Sequence, residues 1–415
     1  MPLPIMAEKN DFREESKTME RGMGVFRSAV SGLMSMNIRH LFTVDLNLSG
    51  RVFGLDIVRA VAILQVVQIH GIGIMKPAFP NYEATTIVDG VDLFFVLSGF
   101  LIGQILLRGF LQDNYTMTYV FNFWKRRWMR TLPNYYLVLL LSLLYASCTH
   151  YGIGDFNFKY FLFLQNFASP HPTFFPVAWS LSVEEWFYIL CPILLLLFHK
   201  VFRRLDKSQV FLMIIIAFIA LPMCYRLWSF LEQGIPQGYS TYDRLSEGFV
   251  IKRLDAIMFG VLGVHLKMYA PKIWNAAPKV CFVIGVSVLY SAYHFGINPL
   301  IGDVFGHTIK ACGILMLFPL LDSIKQGWRF LVFPITLVSI ISYSMYLIHY
   351  SLVLAPVMFM KNHSQSLGIL AMGETVQAVV LYCLYWAGTL LGSVVLYNIF
   401  EKPMLDLRKS ISSSL

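Results

Sequence analysis

Two ionisable residues stand eleven positions apart in an apolar segment near the start of the chain. Arg59 and His70 flank RAVAILQVVQIH, and eleven steps of 100° turn an α-helix about 20° past three full turns. The two side chains therefore share one helix face, about 16.5 Å apart along the axis. This pattern indicates a polar path inside a helix bundle. The alternative is a histidine bonded to a neighbouring helix and an arginine that reaches the membrane interface.

The basic segment FWKRRWMR, residues 123–130, is a second candidate. Arg127 and Arg130 are three residues apart and so share a helix face, with Arg126 beside them. Guanidinium groups bind phosphate through paired hydrogen bonds, so this segment is suited to an anionic cofactor. The same pattern is also typical of a basic anchor at the cytoplasmic end of a span.

Acidic residues form a third group, in WSLSVEEWFY (179–188) and GVDLFFVLSGFLIG (90–103). Glu184 and Glu185 are adjacent and project about 100° apart on a helix. Asp92 enters another apolar segment, at a predicted depth close to that of His70. Each carboxylate could orient the histidine or handle a proton, and the two glutamates could instead cap their helix. The pattern leaves open which of them is the partner of His70.

Other residues give weaker signals. His150 and Asp155 have an H-x4-D spacing but lie in a Gly-rich loop, and His349 in SYSMYLIHY is typical of a packed, hydrogen-bonded histidine. The sequence holds no HExxH, P-loop or GxGxxG motif, so no metal site is expected. The six cysteines lie in or beside apolar runs without a CxxC pair, which favours a packing role.

The composition indicates a membrane protein. Of the 415 residues, 57% are hydrophobic and only 14% are charged, against roughly 25% charged in an average soluble domain. An ordinary cytosolic enzyme, a disordered chain and a nucleic-acid-binding domain are therefore excluded. Apolar windows predict an all-α, polytopic transmembrane bundle of about ten spans, near 53–75, 88–108, 132–150, 178–198, 209–227, 254–270, 279–296, 306–322, 332–357 and 375–400.

The distribution of Lys and Arg predicts the orientation. With a cytoplasmic N-terminus, 24 of the 33 lie on the cytoplasmic side, seven outside (four of them at 226–253) and two within spans. This bias places both termini in the cytoplasm. Residues 1–50 are expected to form a cytoplasmic extension, either an interfacial helix or a disordered tail. Residues 51–405 form the transmembrane domain, and 406–415 a short cytoplasmic tail.

Taken in order, the motifs resemble those of the integral-membrane acyltransferase-3 family, whose members O-acylate cell-surface carbohydrates and some small molecules. Arg59 and His70 match its R-x10-H signature, and Glu184 matches its characteristic acidic position. Arg127 and Arg130 match its R-x-x-R segment. Further matches are GVDLFFVLSGFLIGQIL (90–106), RLDAIMFGVLGVHL (253–266), SYSMYLIHYSL (342–352) and FEKP (400–403).

The resemblance implies an acyl-CoA-dependent O-acyltransferase in a bacterial cytoplasmic membrane. The donor would be cytoplasmic acyl-CoA, first of all acetyl-CoA. Its phosphates would meet Arg59, Arg127 and Arg130, with Arg126 beside them. Trp186 stands where family members often have glutamine, a departure expected to change packing rather than chemistry.

His70 would then act as a general base or as a transient acyl carrier. Glu184 or Asp92 would orient its ring. The acceptor would be a hydroxyl of an extracytoplasmic glycan or glycolipid, such as a lipopolysaccharide O-antigen.

Several alternatives stay open. Within the enzyme class, the acyl group could be succinyl, or the acceptor a small molecule. A secondary transporter or flippase also fits many spans with intramembrane charges, and a membrane scaffold leaves those charges unexplained. The expected partners are the bilayer, acyl-CoA and the acceptor, with no nucleic acid. The sequence leaves a homo-oligomer open.

Overall fold

The structure is a computed structural model that describes residues 43–44, 46, 50–82, 88–113, 115–149, 153–233, 249–294, 301–363 and 373–413. Helices and loops account for these residues, with no strand among them, which confirms the predicted all-α membrane fold. Most of the predicted extension 1–50 lies outside the described residues, as does His150.

The described ranges form helices at every predicted position. They are α1 (Phe53–Met75), α2 (Gly90–Phe110), α3 (Met117–Thr149), α4 (Ala178–Val201), α5 (Lys207–Gln233), α6 (Val250–Tyr269), α7 (Pro271–Trp274), α8 (Pro278–His294), α9 (Gly306–Ser323), α10 (Arg329–Ile348), α11 (Ala355–Asn362), α12 (Glu374–Leu396) and α13 (Lys402–Ser413). Short 3-10 helices lie between α3 and α4, and π-helical turns precede α9, α11 and α13.

Seven helical segments in the described residues are long and apolar enough to cross a membrane. They are α1 to α5, the continuous segment from α10 through α11, and the segment that begins with α12. The remaining predicted spans form α6, α8 and α9. Helix α6 carries too many charged residues to count among these seven segments, and α8 is too short. The count of ten spans and the cytoplasmic termini stay predictions.

Helix α3 begins fifteen residues before the predicted span. Its 33 residues measure about 50 Å, against about 30 Å for the hydrocarbon core of a bilayer. The basic segment 123–130 is thus the first half of the same rigid helix, ahead of Pro133. Long basic side chains favour helix and reach water with their charged ends. An apolar window alone therefore placed the start of the helix too late.

Helices α2 and α6 pack closely against each other. A Cβ on Gly99 would lie 1.8 Å from the carbonyl oxygen of Ile257, and one on Gly260 would lie 2.0 Å from that of Val96. Only glycine permits this approach, as is typical of small residues between membrane helices. The contact fixes α2, which forms one wall of the cavity described below.

A buried ionic cluster ties α2, α5, α6 and α9 together. Arg253 on α6 donates a hydrogen bond to Asp92 on α2 and contacts His307 on α9. Arg226 on α5 donates to Asp255 at 2.8 Å. Each of these side chains is less than a tenth exposed. Charges in an apolar interior need such partners.

This cluster corrects the predicted outer loop at 226–253. Arg226, Lys252 and Arg253 lie in helices and are buried, so they are not loop charges that report orientation. Counting Lys and Arg along the sequence does not reveal that Asp255 neutralises Arg226 and that Asp92 neutralises Arg253.

Asp92→Asn is expected to lower the free energy of unfolding by about 3–5 kcal/mol, because it leaves Arg253 buried without its carboxylate. Arg253→Gln should cost a similar amount. Thermal unfolding of the detergent-purified full chain measures both effects.

The double variant Asp92→Asn with Arg253→Gln is the matched comparison. It should be more stable than the sum of the two single effects predicts, since no unpaired charge remains. Single variants as stable as the parent protein would show that this ion pair does not hold the bundle.

Candidate functional site

A cavity of about 560 Å³ opens between α1, α2, α3, α4 and α10. All four arginines that the sequence singled out line it, with Arg59 on α1 and Arg126, Arg127 and Arg130 on α3. The cavity wall follows α2 from Ile105 to Val91, a distance of about 21 Å. Its volume is within the usual range for small-molecule sites.

Neighbouring side chains hold the arginines in place. Arg127 donates to the hydroxyl of Tyr188, and its guanidinium lies 4.2 Å from the centre of the tyrosine ring. Arg59 donates to the hydroxyl of Ser339 at 3.3 Å and lies 3.8 Å from Asp56. The charges of Arg130 and Arg127 also repel Arg59. The result is a fixed cationic end that favours a bound anion.

The two adjacent glutamates have different surroundings. Glu184 lines the cavity, accepts a hydrogen bond from Ser98 at 2.5 Å and lies 3.9 Å from Arg127. Glu185 faces α3, where it accepts hydrogen bonds from Trp128 at 3.1 Å and Thr131 at 3.0 Å. Glu185 thus holds the basic segment of α3 in place from the side away from the cavity, whereas Glu184 faces the cavity.

Glu401, in the FEKP motif, also contributes to this site, although no sequence pattern gives it a role. Its carboxylate accepts a hydrogen bond from Ser344 at 2.5 Å. It also attracts the charges of Arg130 and Arg59. Because it is only 5% exposed, it balances the arginine end from within the protein.

His70 is hydrogen-bonded to a second histidine, His349, which directly follows α10. Its Nδ1 lies 2.9 Å from the carbonyl oxygen of Val66 and 3.1 Å from Nε2 of His349. His349 begins the π-helical turn His349–Leu354. Its own Nδ1 lies 2.8 Å from the carbonyl oxygen of Tyr346.

These contacts define the tautomers. A carbonyl oxygen only accepts, so Nδ1 carries the proton in both rings. Nδ1–H of His70 is then shared between the carbonyl of Val66 and the lone pair of His349 Nε2. The lone pair on Nε2 of His70 is left free, and among the described residues it accepts no hydrogen bond. This is the arrangement that a general base requires.

The predicted carboxylate partners lie elsewhere. Asp92 is bonded to Arg253, and Glu184 to Ser98. In the part of the chain that the structure describes, neither carboxylate bonds to His70. The ring is contacted instead by His349, whose sequence context is typical of a packed histidine, and the catalytic roles of the two carboxylates stay predictions. The two histidines are 279 residues apart, so no local pattern signals the pair.

An aromatic side chain separates the cavity from the histidine pair. Tyr346 lines the cavity, and its ring centre lies 5.8 Å from that of His349. A Cβ on Gly90 would lie 2.2 Å from the carbonyl oxygen of Ala62, so the start of α2 is level with Ala62 on α1. His70 lies eight residues further, about 12 Å along α1. The cavity thus reaches Tyr346, whose ring lies beside His349, and does not include His70 itself.

The described part of the segment between α3 and α4 packs against both helices, since Tyr135 donates to the carbonyl oxygen of Tyr160 and Trp186 to that of Phe163, each at 2.9 Å. Asp155 accepts a hydrogen bond from the backbone N–H of Thr173 at 3.2 Å, which gives it a structural role in its loop. Burial lowers the pKa of His171 to about 4 and raises the pKa of Tyr160. His171 therefore stays neutral at physiological pH. Of the aromatic residues here, Phe174 and Phe175 are buried, while Phe158 is exposed.

Comparisons with known proteins find similar chains among O-acetyltransferases. The chain is 32% identical over 164 residues to a peptidoglycan O-acetyltransferase of Listeria monocytogenes, which covers 35% of this chain and 24% of the relative. It is 34% identical over 161 residues to a putative peptidoglycan O-acetyltransferase of Bacillus subtilis, which covers 34% of this chain and 23% of the relative.

A longer match joins the chain to a putative O-acetyltransferase of Staphylococcus aureus, 25% identical over 335 residues, or 72% of this chain and 50% of the relative. The chain thus spans half or less of the length of these relatives. No solved structure matches it. The model of the acyltransferase-3 family, described as an acyltransferase domain, matches residues 52–398. The chain is therefore a multi-pass integral membrane protein of the acyltransferase-3 family.

Proposed function

We propose that the protein transfers an acetyl group from acetyl-CoA to a hydroxyl of an extracytoplasmic glycan. The observation that carries this proposal is a cavity lined by four arginines that reaches Tyr346, beyond which lies a histidine whose Nε2 accepts no hydrogen bond among the described residues. The arginines would anchor an anionic carrier, and the histidine would provide a base.

The donor would enter at the arginine end. Arg59, Arg127 and Arg130 would bind the phosphates of CoA, with Arg126 at the rim. The flexible pantetheine arm would follow the wall formed by α2 and bring the thioester towards Tyr346. The positive-inside bias supports a cytoplasmic position for this end, which is where acetyl-CoA is made available.

His70 would act as the general base. Its Nε2 removes the proton of the acceptor hydroxyl while the hydroxyl oxygen attacks the thioester carbonyl carbon. A C–O bond forms and the C–S bond breaks. The thiolate of CoA leaves and takes the proton back from His70, so the products are the O-acetylated acceptor and CoA. The imidazolium that forms in between donates from Nδ1 to Val66 and His349.

The acceptor would be an envelope glycan reached from the outer face of a bacterial cytoplasmic membrane. The relatives named above as peptidoglycan O-acetyltransferases support a glycan, and a lipopolysaccharide O-antigen belongs to the same chemical class. Mass spectrometry of envelope glycans from cells with and without the protein tests this assignment. Loss of an acetyl unit is expected. If the glycans were unchanged while a solute crossed the membrane, a transporter would be indicated instead.

His70→Ala is expected to lower the rate of acetyl transfer about 10²- to 10⁴-fold, the usual contribution of a general base. The rate is measured as CoA release by the purified full chain in nanodiscs with acetyl-CoA and solubilised envelope glycan. His363→Ala, which changes an exposed histidine at the end of α11, is the matched control and should keep the parent rate. Full activity in a folded His70→Ala protein would contradict the mechanism.

His349→Ala is expected to lower kcat by at least tenfold with little change in the KM for acetyl-CoA, because His349 orients His70 and does not line the donor cavity. His349→Asn offers an amide oxygen to Nδ1–H and should restore part of kcat.

A positioning role predicts this ranking of the two variants and the separation of kcat from KM. Equal loss in both variants, with an increased KM, would indicate that His349 only supports the fold.

Arg127→Gln and Arg130→Gln are each expected to weaken CoA binding by about tenfold or more, since a hydrogen bond to a charged group contributes roughly 1.5–3 kcal/mol. Isothermal titration of the full chain in nanodiscs with free CoA measures this.

Lys125→Gln removes the same charge from the same helix, but Lys125 does not line the cavity. It should weaken binding by less than about threefold. If all three variants were equal, binding would depend on the general field of the helix and not on contacts in the cavity.

A further inference from the structure

We propose that Phe94 and Tyr346 limit the acyl group to a short, uncharged chain. This inference rests on the proposed function and adds a specificity to it. The two rings stand edge to face with their centres 6.1 Å apart. Both line the cavity, and Tyr346 lies seven residues, about 10 Å, along its helix from Ser339, the partner of Arg59. They therefore form an aromatic partition that narrows the cavity where it approaches the histidine pair.

The ring of Tyr346 is held firmly. Its hydroxyl bonds to the hydroxyl of Ser180 and donates to the carbonyl oxygen of Val177 at 3.1 Å. Ser180 and Val177 lie at the start of α4, and all three residues are less than a tenth exposed. Any group that moves Tyr346 must break these buried hydrogen bonds, which is costly.

Because the carrier has a fixed length, the position of the partition limits the size of the acyl group that fits. Phosphates held by Arg59 and Arg127 fix one end of the carrier, so each additional methylene carries the acyl chain further towards the rings. An acetyl group adds one methyl beyond the carbonyl. Butyryl and hexanoyl chains would have to displace Phe94 or Tyr346 in a closely packed interior, where even small volume changes are felt.

Charge at this end of the cavity excludes a second class of donor. A succinyl group ends in a carboxylate, which needs a cationic or hydrogen-bonding partner when buried. Among the described residues that line the cavity, Glu184 is the acidic one; it lies 3.9 Å from Arg127, and its charge also acts on Tyr346. Glu184 would repel a succinyl carboxylate. The cavity therefore favours acetyl over succinyl as well as over longer chains.

The test compares the dissociation constants of free CoA, acetyl-CoA, butyryl-CoA, hexanoyl-CoA and succinyl-CoA. Each is measured by isothermal titration with the full chain in nanodiscs, with empty nanodiscs subtracted. The parent protein should bind acetyl-CoA at least tenfold more tightly than hexanoyl-CoA and succinyl-CoA.

Phe94→Ala should tighten hexanoyl-CoA binding at least tenfold and leave free CoA unchanged. Tyr346→Phe, which keeps the ring but removes its anchoring hydroxyl, should shift the same ratio in the same direction and serves as the milder variant. Phe330→Ala, on the same helix as Tyr346 but 71% exposed, is the matched control and should keep the parent ratios.

Two results would overturn the inference in different ways. If the parent protein binds CoA but does not distinguish acetyl from hexanoyl chains, or if Phe94→Ala leaves the ratio unchanged, the partition does not set acyl size, and the proposed function stands. If the parent protein binds no CoA at all, the proposed function fails, and the inference fails with it.

Discussion

A charge in a lipid bilayer is stable only with a partner, and this constraint separates structural from functional residues here. Arg253 and Arg226 meet it inside the bundle, through Asp92 and Asp255. Their charges are neutralised by the ion pairs that hold α2, α5, α6 and α9 together. The arginines of α1 and α3 have acidic neighbours as well, but they line a cavity. A ligand therefore has access to one group of cations and not to the other.

The cationic end of the cavity is organised before any ligand arrives. Arg127 is bonded to Tyr188, Glu185 fixes the helix that carries it, and Asp56 and Ser339 hold Arg59. Repulsion among guanidinium groups is part of this arrangement. A polyanion relieves that repulsion without reordering the side chains, so little binding energy is lost to reorganisation. A carrier with several phosphates suits such a site better than a single carboxylate does.

Much of this could be predicted from the sequence, because the signals are local. An apolar window indicates a helix, and the spacing of Arg59 from His70, or of Arg127 from Arg130, sets a shared helix face. Partners across the bundle are not local. Asp92 meets a residue 161 positions away, and the choice of helix neighbours decides this pairing. Glu184 and Glu185 show the same limit at close range, since one residue turns a helix by 100° and sends each carboxylate to a different environment.

The neutral partner of His70 follows from the same electrostatic constraint. A carboxylate beside the ring would favour a resting imidazolium, whose Nε2 carries a proton and cannot act as a base. His349 accepts from Nδ1–H without adding a negative charge, so the resting ring stays neutral with its lone pair available. In the proposed mechanism, the positive charge on His70 would exist only while the proton of the acceptor is being transferred. In an apolar interior, a brief charge between two neutral states costs less than a permanent ion pair that must be broken in each cycle.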